Sequence, residues 1–130
     1  MKVICVVGRC HDARGAYFAL SNIWKAQETM GHIWFMGGIP FYPQGASLLL
    51  EGILGVPQER FLQGNLELVR RADAVYAMES FAKSPEAQLM VEEALKLSKP
   101  VFYKAKELDT YLESRPVPEV KEVHRAKARA

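Results

Sequence analysis

The chain of 130 residues has few cysteines and no long hydrophobic run. Its two cysteines, Cys5 and Cys10, with one histidine nearby, form neither a disulfide framework nor a zinc signature. No apolar run approaches the roughly 18–20 residues of a membrane span. The apolar run at positions 3–7 is too short for a signal peptide and has no small-residue cleavage site. We therefore expect a cytoplasmic protein with no membrane contact, no metal and no cofactor.

An excess of charge of one sign is also missing, since the formal net charge is +2. Positions 115–130 hold five basic and two acidic residues, which leaves twelve basic and thirteen acidic residues elsewhere. Because the globular part lacks a concentrated positive surface, we do not expect nucleic acid as a partner. We expect one domain over residues 1–115 and a basic tail over 116–130. The tail is interpreted as a solvated terminus or as a contact for an anionic partner.

Short apolar runs alternate with helical patterns along the chain. The predicted strands are 2–7, 32–36, 73–78 and 101–103. The predicted helices are 16–30, 58–71, 84–98 and 106–114. The proline-rich connection 39–57 is predicted to be a functional loop or lid with a helical turn near 47–54. This alternation predicts a single doubly wound, Rossmann- or flavodoxin-like α/β domain. Its mostly parallel sheet has four to five strands in the order 2-1-3-4.

In that strand order, a ligand cleft is expected where the loops after strands one and three meet. The first loop precedes a helix N-terminus, which is suited to an anion, and its candidate contacts are Gly8, Arg9, His11 and Arg14. A solvated turn is the alternative interpretation. In the second loop, Ser84 is predicted to be a helix N-cap, and it can contact a ligand at the same time. Asp73 lies at the start of its strand, away from this cleft, and we expect it to have a structural role.

Two segments carry a resemblance to a known family. They are Gly64-Asn65-Leu66 with Ala72-Asp73-Ala74-Val75, and Ser84-Pro85-Glu86-Ala87 with Met90. They resemble the nucleoside 2-deoxyribosyltransferase-like family, which includes small phage and bacterial members of unknown function and nucleotide N-glycosidases. Its motifs read Gly-Asp-Leu, Cys/Ala-Asp-Ala-Val and Ser-x-Gly-Ala-x-x-Glu. The resemblance covers roughly residues 2–103 and implies a nucleoside or nucleotide partner.

The chain departs from the family at the residues that carry chemistry. The acid that assists catalysis falls on Asn65, the nucleophilic glutamate on Met90 and the motif glycine on Glu86. A methionine cannot attack an anomeric carbon, so the resemblance implies a nucleoside- or nucleotide-binding protein with reduced or lost glycosyl chemistry. Met90 and Asn65 are then ligand contacts.

Two other functions stay open. The first is an active nucleoside 2-deoxyribosyltransferase or nucleoside 5′-monophosphate N-glycosidase. It would use Glu86, one helical turn from Met90, or Glu79 at the end of the third strand. The second is a non-catalytic oligomeric scaffold. The helix near 16–30 has surplus aromatic surface and family members form oligomers, so we expect a homo-oligomer through this helix.

Overall fold

The computed structural model describes residues 1–113 and contains one parallel four-stranded sheet in the order β2-β1-β3-β4. The strands are β1 (Val3–Val7), β2 (Ile39–Phe41), β3 (Ala74–Ala77) and β4 (Val101–Phe102). The helices are α1 (Ala16–Phe35), α2 (Pro43–Leu50), α3 (Gln58–Arg71), α4 (Pro85–Lys96) and α5 (Ala105–Glu113), with a 3₁₀ helix at Glu79–Lys83. The predicted α/β fold and strand order are confirmed. The predicted tail, 116–130, lies outside the described residues.

The sheet is buried on both faces, which explains why its central strands are unbroken apolar runs. Successive side chains of β1 alternate between two cores. Ile4 and Val6 pack in a cluster that includes residues of α1 and α5, whereas Cys5 and Val7 pack in a cluster that includes residues of α3 and α4. The carboxylate of Asp73 accepts the backbone N–H of Val3 at 2.7 Å, so it has the structural role expected for it.

The prediction that a strand covers 32–36 was wrong, because α1 continues through these residues to Phe35. Gly31 is an exposed helical position with open space beside it, and it does not end the helix. The helix ends instead before Gly37, whose φ of 91° is the left-handed conformation that glycine tolerates best. Ile33 explains the helical assignment, since it is fully buried on the sheet side of α1.

The connection 39–57 is more ordered than the sequence suggested. It contains β2 and the whole of α2, which begins with Pro43 in its first turn. The predicted helical turn at 47–54 overlaps only the second half of α2. Positive φ angles at Gly52, Leu54 and Gly55 mark the irregular segment that joins α2 to α3.

Candidate functional site

The loops that follow β1 and β3 touch each other, as the strand order required. The backbone N–H of Arg9 donates to Ser80 Oγ at 3.0 Å, and the N–H of Gly8 donates to Gln44 Oε1 at 3.0 Å. A Cβ on Gly8 would contact the end of the Met78 side chain and Ser80 Oγ, so glycine lets the two loops approach closely here. The two loops therefore pack directly against each other, and the two cavities described below lie on either side of this contact.

The first cavity, here called the acidic cavity, has a volume of about 340 Å³. It opens between α2, α3 and the start of α4. Three carboxylates and one imidazole share it with two apolar side chains. Its lining residues are His11, Ser47, Glu51, Gln58, Glu59, Phe61, Leu62 and Glu86. Its volume is within the range of small-molecule sites, and its walls are more polar than is usual for such sites.

Glu86 is the best positioned carboxylate of the acidic cavity. Asn65, which is 4% exposed, donates from Nδ2 to Glu86 Oε1 at 2.6 Å and to Ser47 Oγ at 3.2 Å. Glu86 also lies in the first turn of α4, where the helix dipole favours a negative charge. The structure thus joins two residues that the sequence singled out separately.

A second polar contact ties the first loop to the segment after α2. His11 Nε2 lies 2.6 Å from Glu51 Oε1, and Gln58 Nε2 donates to the same oxygen at 3.4 Å. Because these three residues come from different segments, their contacts fix one wall of the acidic cavity. His11 therefore lines the cavity, whereas its neighbours in the loop have other partners.

Arg9 and Arg14 are both committed to Asp12. Arg14 donates to the Asp12 carboxylate from Nε at 2.9 Å and from Nη2 at 2.7 Å, while Arg9 Nη2 lies 3.5 Å from it. The Arg14 hydrogen bonds hold the pKa of Asp12 well below its usual range. The Arg14 guanidinium also stacks on the Phe18 ring at 4.0 Å. Neither arginine lines the acidic cavity.

Ser84 acts as the N-cap of α4. Its Oγ accepts the N–H of Ala87 at 3.1 Å and a longer contact of 3.5 Å from Gln44 Nε2. Ser84 is buried, and Met90 has no exposed area, so neither lines a described cavity. Met90 packs instead in the core cluster that contains Val7 and Val91.

The second cavity, here called the basic cavity, has a volume of about 450 Å³ and lies between α1, the end of β3 and the 3₁₀ helix. It is lined by two lysines, one carboxylate and several neutral side chains. These are Asn22, Lys25, Thr29, Tyr76, Met78, Glu79, Ser80, Ala82 and Lys83. The two carboxylates proposed from sequence, Glu86 and Glu79, therefore line different cavities.

A comparison with solved structures places this fold among known ones. A 2-desoxiribosyltransferase from Leishmania mexicana matches with a TM-score of 0.54 and 13% sequence identity, over 78% of this chain and 62% of that chain. The fold is that of a deoxyribosyltransferase. The chain spans about three fifths of the length of that protein, and the likeness concerns the fold alone. No protein-family model and no curated protein matches the sequence.

On this deoxyribosyltransferase-like fold, the cysteines have no reactive character. Both are buried, and burial raises the pKa of the Cys10 thiol to about 11 and that of Cys5 further still. Within residues 1–113, no cluster of three or more His, Cys, Asp or Glu side chains could hold a metal ion. No helix in the same residues is long and apolar enough to cross a membrane.

Several lining residues were missed by the sequence analysis. Ser47 and Glu51 line the acidic cavity, and Gln44 Oε1 accepts the backbone N–H of Gly8. All three lie in the connection 39–57, which was predicted to be a functional loop or lid. A polar glutamine between Pro43 and Gly45 was the available signal. Lys25 and Thr29, which line the basic cavity, lie on α1, whose buried residues are Asn22, Ala26 and Ile33.

Proposed function

We propose that the protein binds a nucleoside in the acidic cavity of a deoxyribosyltransferase-like fold, with glycosyl chemistry reduced or lost. The observation that carries the proposal is the Asn65–Glu86 hydrogen bond of 2.6 Å at the wall of this cavity. It presents one fixed carboxylate, which can accept hydrogen bonds from sugar hydroxyls. Phe61 and Leu62 supply apolar surface for a base in the same cavity.

The charges support an unphosphorylated nucleoside over a nucleoside 5′-monophosphate. Glu51, Glu59 and Glu86 all line the acidic cavity, and His11 is its one basic group. The two arginines of the first loop, Arg9 and Arg14, are both paired with Asp12. A phosphate dianion would therefore meet repulsion that a neutral nucleoside avoids.

The loss of glycosyl chemistry follows from the side chains that replace the family's acids. The thioether of Met90 is buried in the core, and the Asn65 amide cannot exchange a proton with a substrate at neutral pH. Cleavage of an N-glycosidic bond needs a carboxylate against the positive charge that develops on the sugar. Glu86, which stands at the position of the motif glycine, is the one carboxylate left in the segment 84–90. It accepts a hydrogen bond from Asn65.

An active transferase or N-glycosidase is the second candidate, favoured by the exposure of Glu86 to the acidic cavity. In that reaction, a Glu86 oxygen would bond to the anomeric carbon while the bond to the base breaks. The base would leave with a proton from solvent, and water or a second base would then release the sugar. Glu79, with two lysines in the other cavity, is less suited to this role. A non-catalytic scaffold is the third candidate.

Calorimetric titration with the four deoxynucleosides and their 5′-monophosphates tests the binding proposal. We expect at least one nucleoside to bind the acidic cavity more tightly than its monophosphate binds there. Glu86→Gln should lower the affinity for that nucleoside about tenfold, because it removes one hydrogen bond to a charged acceptor. Glu92→Gln is the matched control, since Glu92 is an exposed α4 residue outside the acidic cavity. Absence of binding by every nucleoside would favour the scaffold.

Chromatographic assay of base release separates binding from catalysis. We expect little or no free base from the unmodified protein over hours. Release that Glu86→Gln abolishes would establish the enzyme candidate. Robust release that survives Glu86→Gln would show that the nucleophile lies elsewhere, and Glu79→Gln would then be assayed.

A further inference from the structure

We propose that the basic cavity is a second small-molecule site, which binds a phosphomonoester that carries an aromatic or apolar group. It is independent of the function proposed for the acidic cavity. The two cavities have no lining residue in common, and the Arg9–Ser80 backbone contact links the loops beside which they open.

The lysines of the basic cavity lack a carboxylate partner, unlike four of the five arginines among residues 1–113. Within residues 1–113, Lys25 and Lys83 take part in no ion pair. By contrast, the arginines at positions 9, 14, 70 and 71 each lie within 4.0 Å of a carboxylate. Two unpaired ammonium groups and one carboxylate, Glu79, give this concave surface a net positive charge.

The neutral groups of the basic cavity add hydrogen-bond donors. Ser80 Oγ accepts the Arg9 N–H, which leaves its own proton free to donate to a ligand. Burial, followed by the charge of Asp109, raises the pKa of Tyr76, so its phenol stays protonated and can donate. Phosphate oxygens accept such hydrogen bonds and pair with ammonium groups at about 2.7–2.9 Å. The donors and charges therefore match a phosphate better than a neutral ligand.

The shape of the basic cavity calls for more than a bare phosphate. At about 450 Å³, it exceeds the space that one small anion fills. Tyr76 is half-buried, and it forms a partly apolar wall with Met78, whose side chain is 9% exposed. An aromatic ring can stack on the tyrosine and contact the methionine sulfur. A phosphomonoester of an aromatic alcohol satisfies both halves of the cavity.

Titration calorimetry with phenyl phosphate at low ionic strength tests this site. We expect saturable 1:1 binding that Lys25→Gln and Lys83→Gln each weaken about tenfold, because each removes one charge-assisted hydrogen bond. Lys96→Gln, at an exposed α4 position outside the described cavities, is the matched control and should leave affinity unchanged. Glu79→Gln should strengthen binding, since it removes the one negative charge of the cavity.

Amide chemical shifts locate the bound molecule. Phenyl phosphate should perturb the signals of Thr29 and Ser80 and leave those of Ser47 and Leu62 unchanged. Absence of binding, an equal loss in Lys96→Gln, or a loss in Glu86→Gln would each overturn the proposal. Nucleoside titrations of the two lysine variants should match those of the unmodified protein. A failure of nucleoside binding would therefore not contradict the phosphomonoester site. A failure of phenyl phosphate binding would likewise not contradict the nucleoside site.

Discussion

The acidic and the basic cavity lie beside the same pair of loops, yet they differ in whether other side chains hold their charged groups in place. In the acidic cavity, Glu86 is fixed by Asn65, and Glu51 by His11 and Gln58. In the basic cavity, the ammonium groups of Lys25 and Lys83 have no described partner. Fixed groups lose little entropy when a ligand binds, and so they favour selectivity. Lysines without such partners contribute attraction to anions of several shapes.

Asp12 explains why the charge of the first loop reaches neither cavity. Its carboxylate has no exposed area, and it accepts hydrogen bonds from Arg14 and from Asn22. Arg9 lies at ion-pair distance from the same group. Three positively polarised groups therefore converge on one buried acid.

The largest expected effect comes from Met90→Glu, which tests whether the acidic cavity stops at Glu86. Met90 is fully buried in the core, so the new carboxyl group would have to stay neutral or remain charged without a partner. A pKa raised by about three units corresponds to a loss of roughly 4 kcal/mol in the free energy of unfolding at pH 7. Urea denaturation measures this loss, and Met90→Leu, expected to cost less than about 1.5 kcal/mol, is the control.

The pH dependence of this variant gives the sign of the effect. A carboxyl group with a raised folded-state pKa stabilises the fold less as pH rises through that value. The deficit of Met90→Glu relative to the unmodified protein should therefore shrink between pH 7 and pH 5. If the variant were fully stable, and released base when combined with Asn65→Asp, the acidic cavity would extend to position 90.

Position 90 also shows how far the sequence alone could lead. Strand order followed from the alternation of apolar runs and helices, because parallel strands with right-handed crossovers leave few topologies. The motif spacing of the family that the sequence resembles aligned Met90 with a catalytic residue. Motif spacing does not show whether a side chain is buried. Only the packing of α4 on the sheet shows that Met90 belongs to the core.

The ligand contacts were less predictable than the fold. Asn65 and Glu86 lie on different helices, and their hydrogen bond depends on how α3 packs on α4. Arg9 and Arg14 were suitable phosphate ligands by type, yet both already pair with Asp12, which lies three and two residues away from them. The end of α1 was misassigned because Trp34-Phe35-Met36 is too short an apolar run to separate strand from helix by periodicity.

An intermediate effect is expected from Asp12→Asn, which would release both arginines. The variant should bind nucleoside 5′-monophosphates several-fold more tightly relative to nucleosides, because two guanidinium groups become free to pair with phosphate. Paired calorimetric titrations measure this ratio. Asp109→Asn, which makes the same charge change at a surface pair with His32, is the control. An unchanged ratio would show that Arg9 and Arg14 cannot reach a ligand.

Asp12→Asn should also change the response to acid. Because the pKa of Asp12 is lowered in the folded state, its contribution to stability is present above the usual aspartate pKa of about 3.9 and is lost as pH falls below it. Thermal melts of the unmodified protein between pH 7 and pH 2 should therefore show a decline that is shallower in the variant.

The smallest expected effect on either cavity comes from the outer face of α1. Tyr17, Leu20 and Trp24 are 78%, 60% and 67% exposed, and their spacing places them on one side of the helix. We expect this apolar face to mediate self-association, so sedimentation equilibrium should show at least a dimer. Trp24→Glu should raise the dissociation constant by about tenfold or more, whereas Trp34→Glu, beyond this face, should not.

Both variants should bind phenyl phosphate normally, because neither residue lines the basic cavity. A monomer at high concentration would refute the association. Altered phosphate binding in Trp24→Glu would show that the two faces of α1 are coupled.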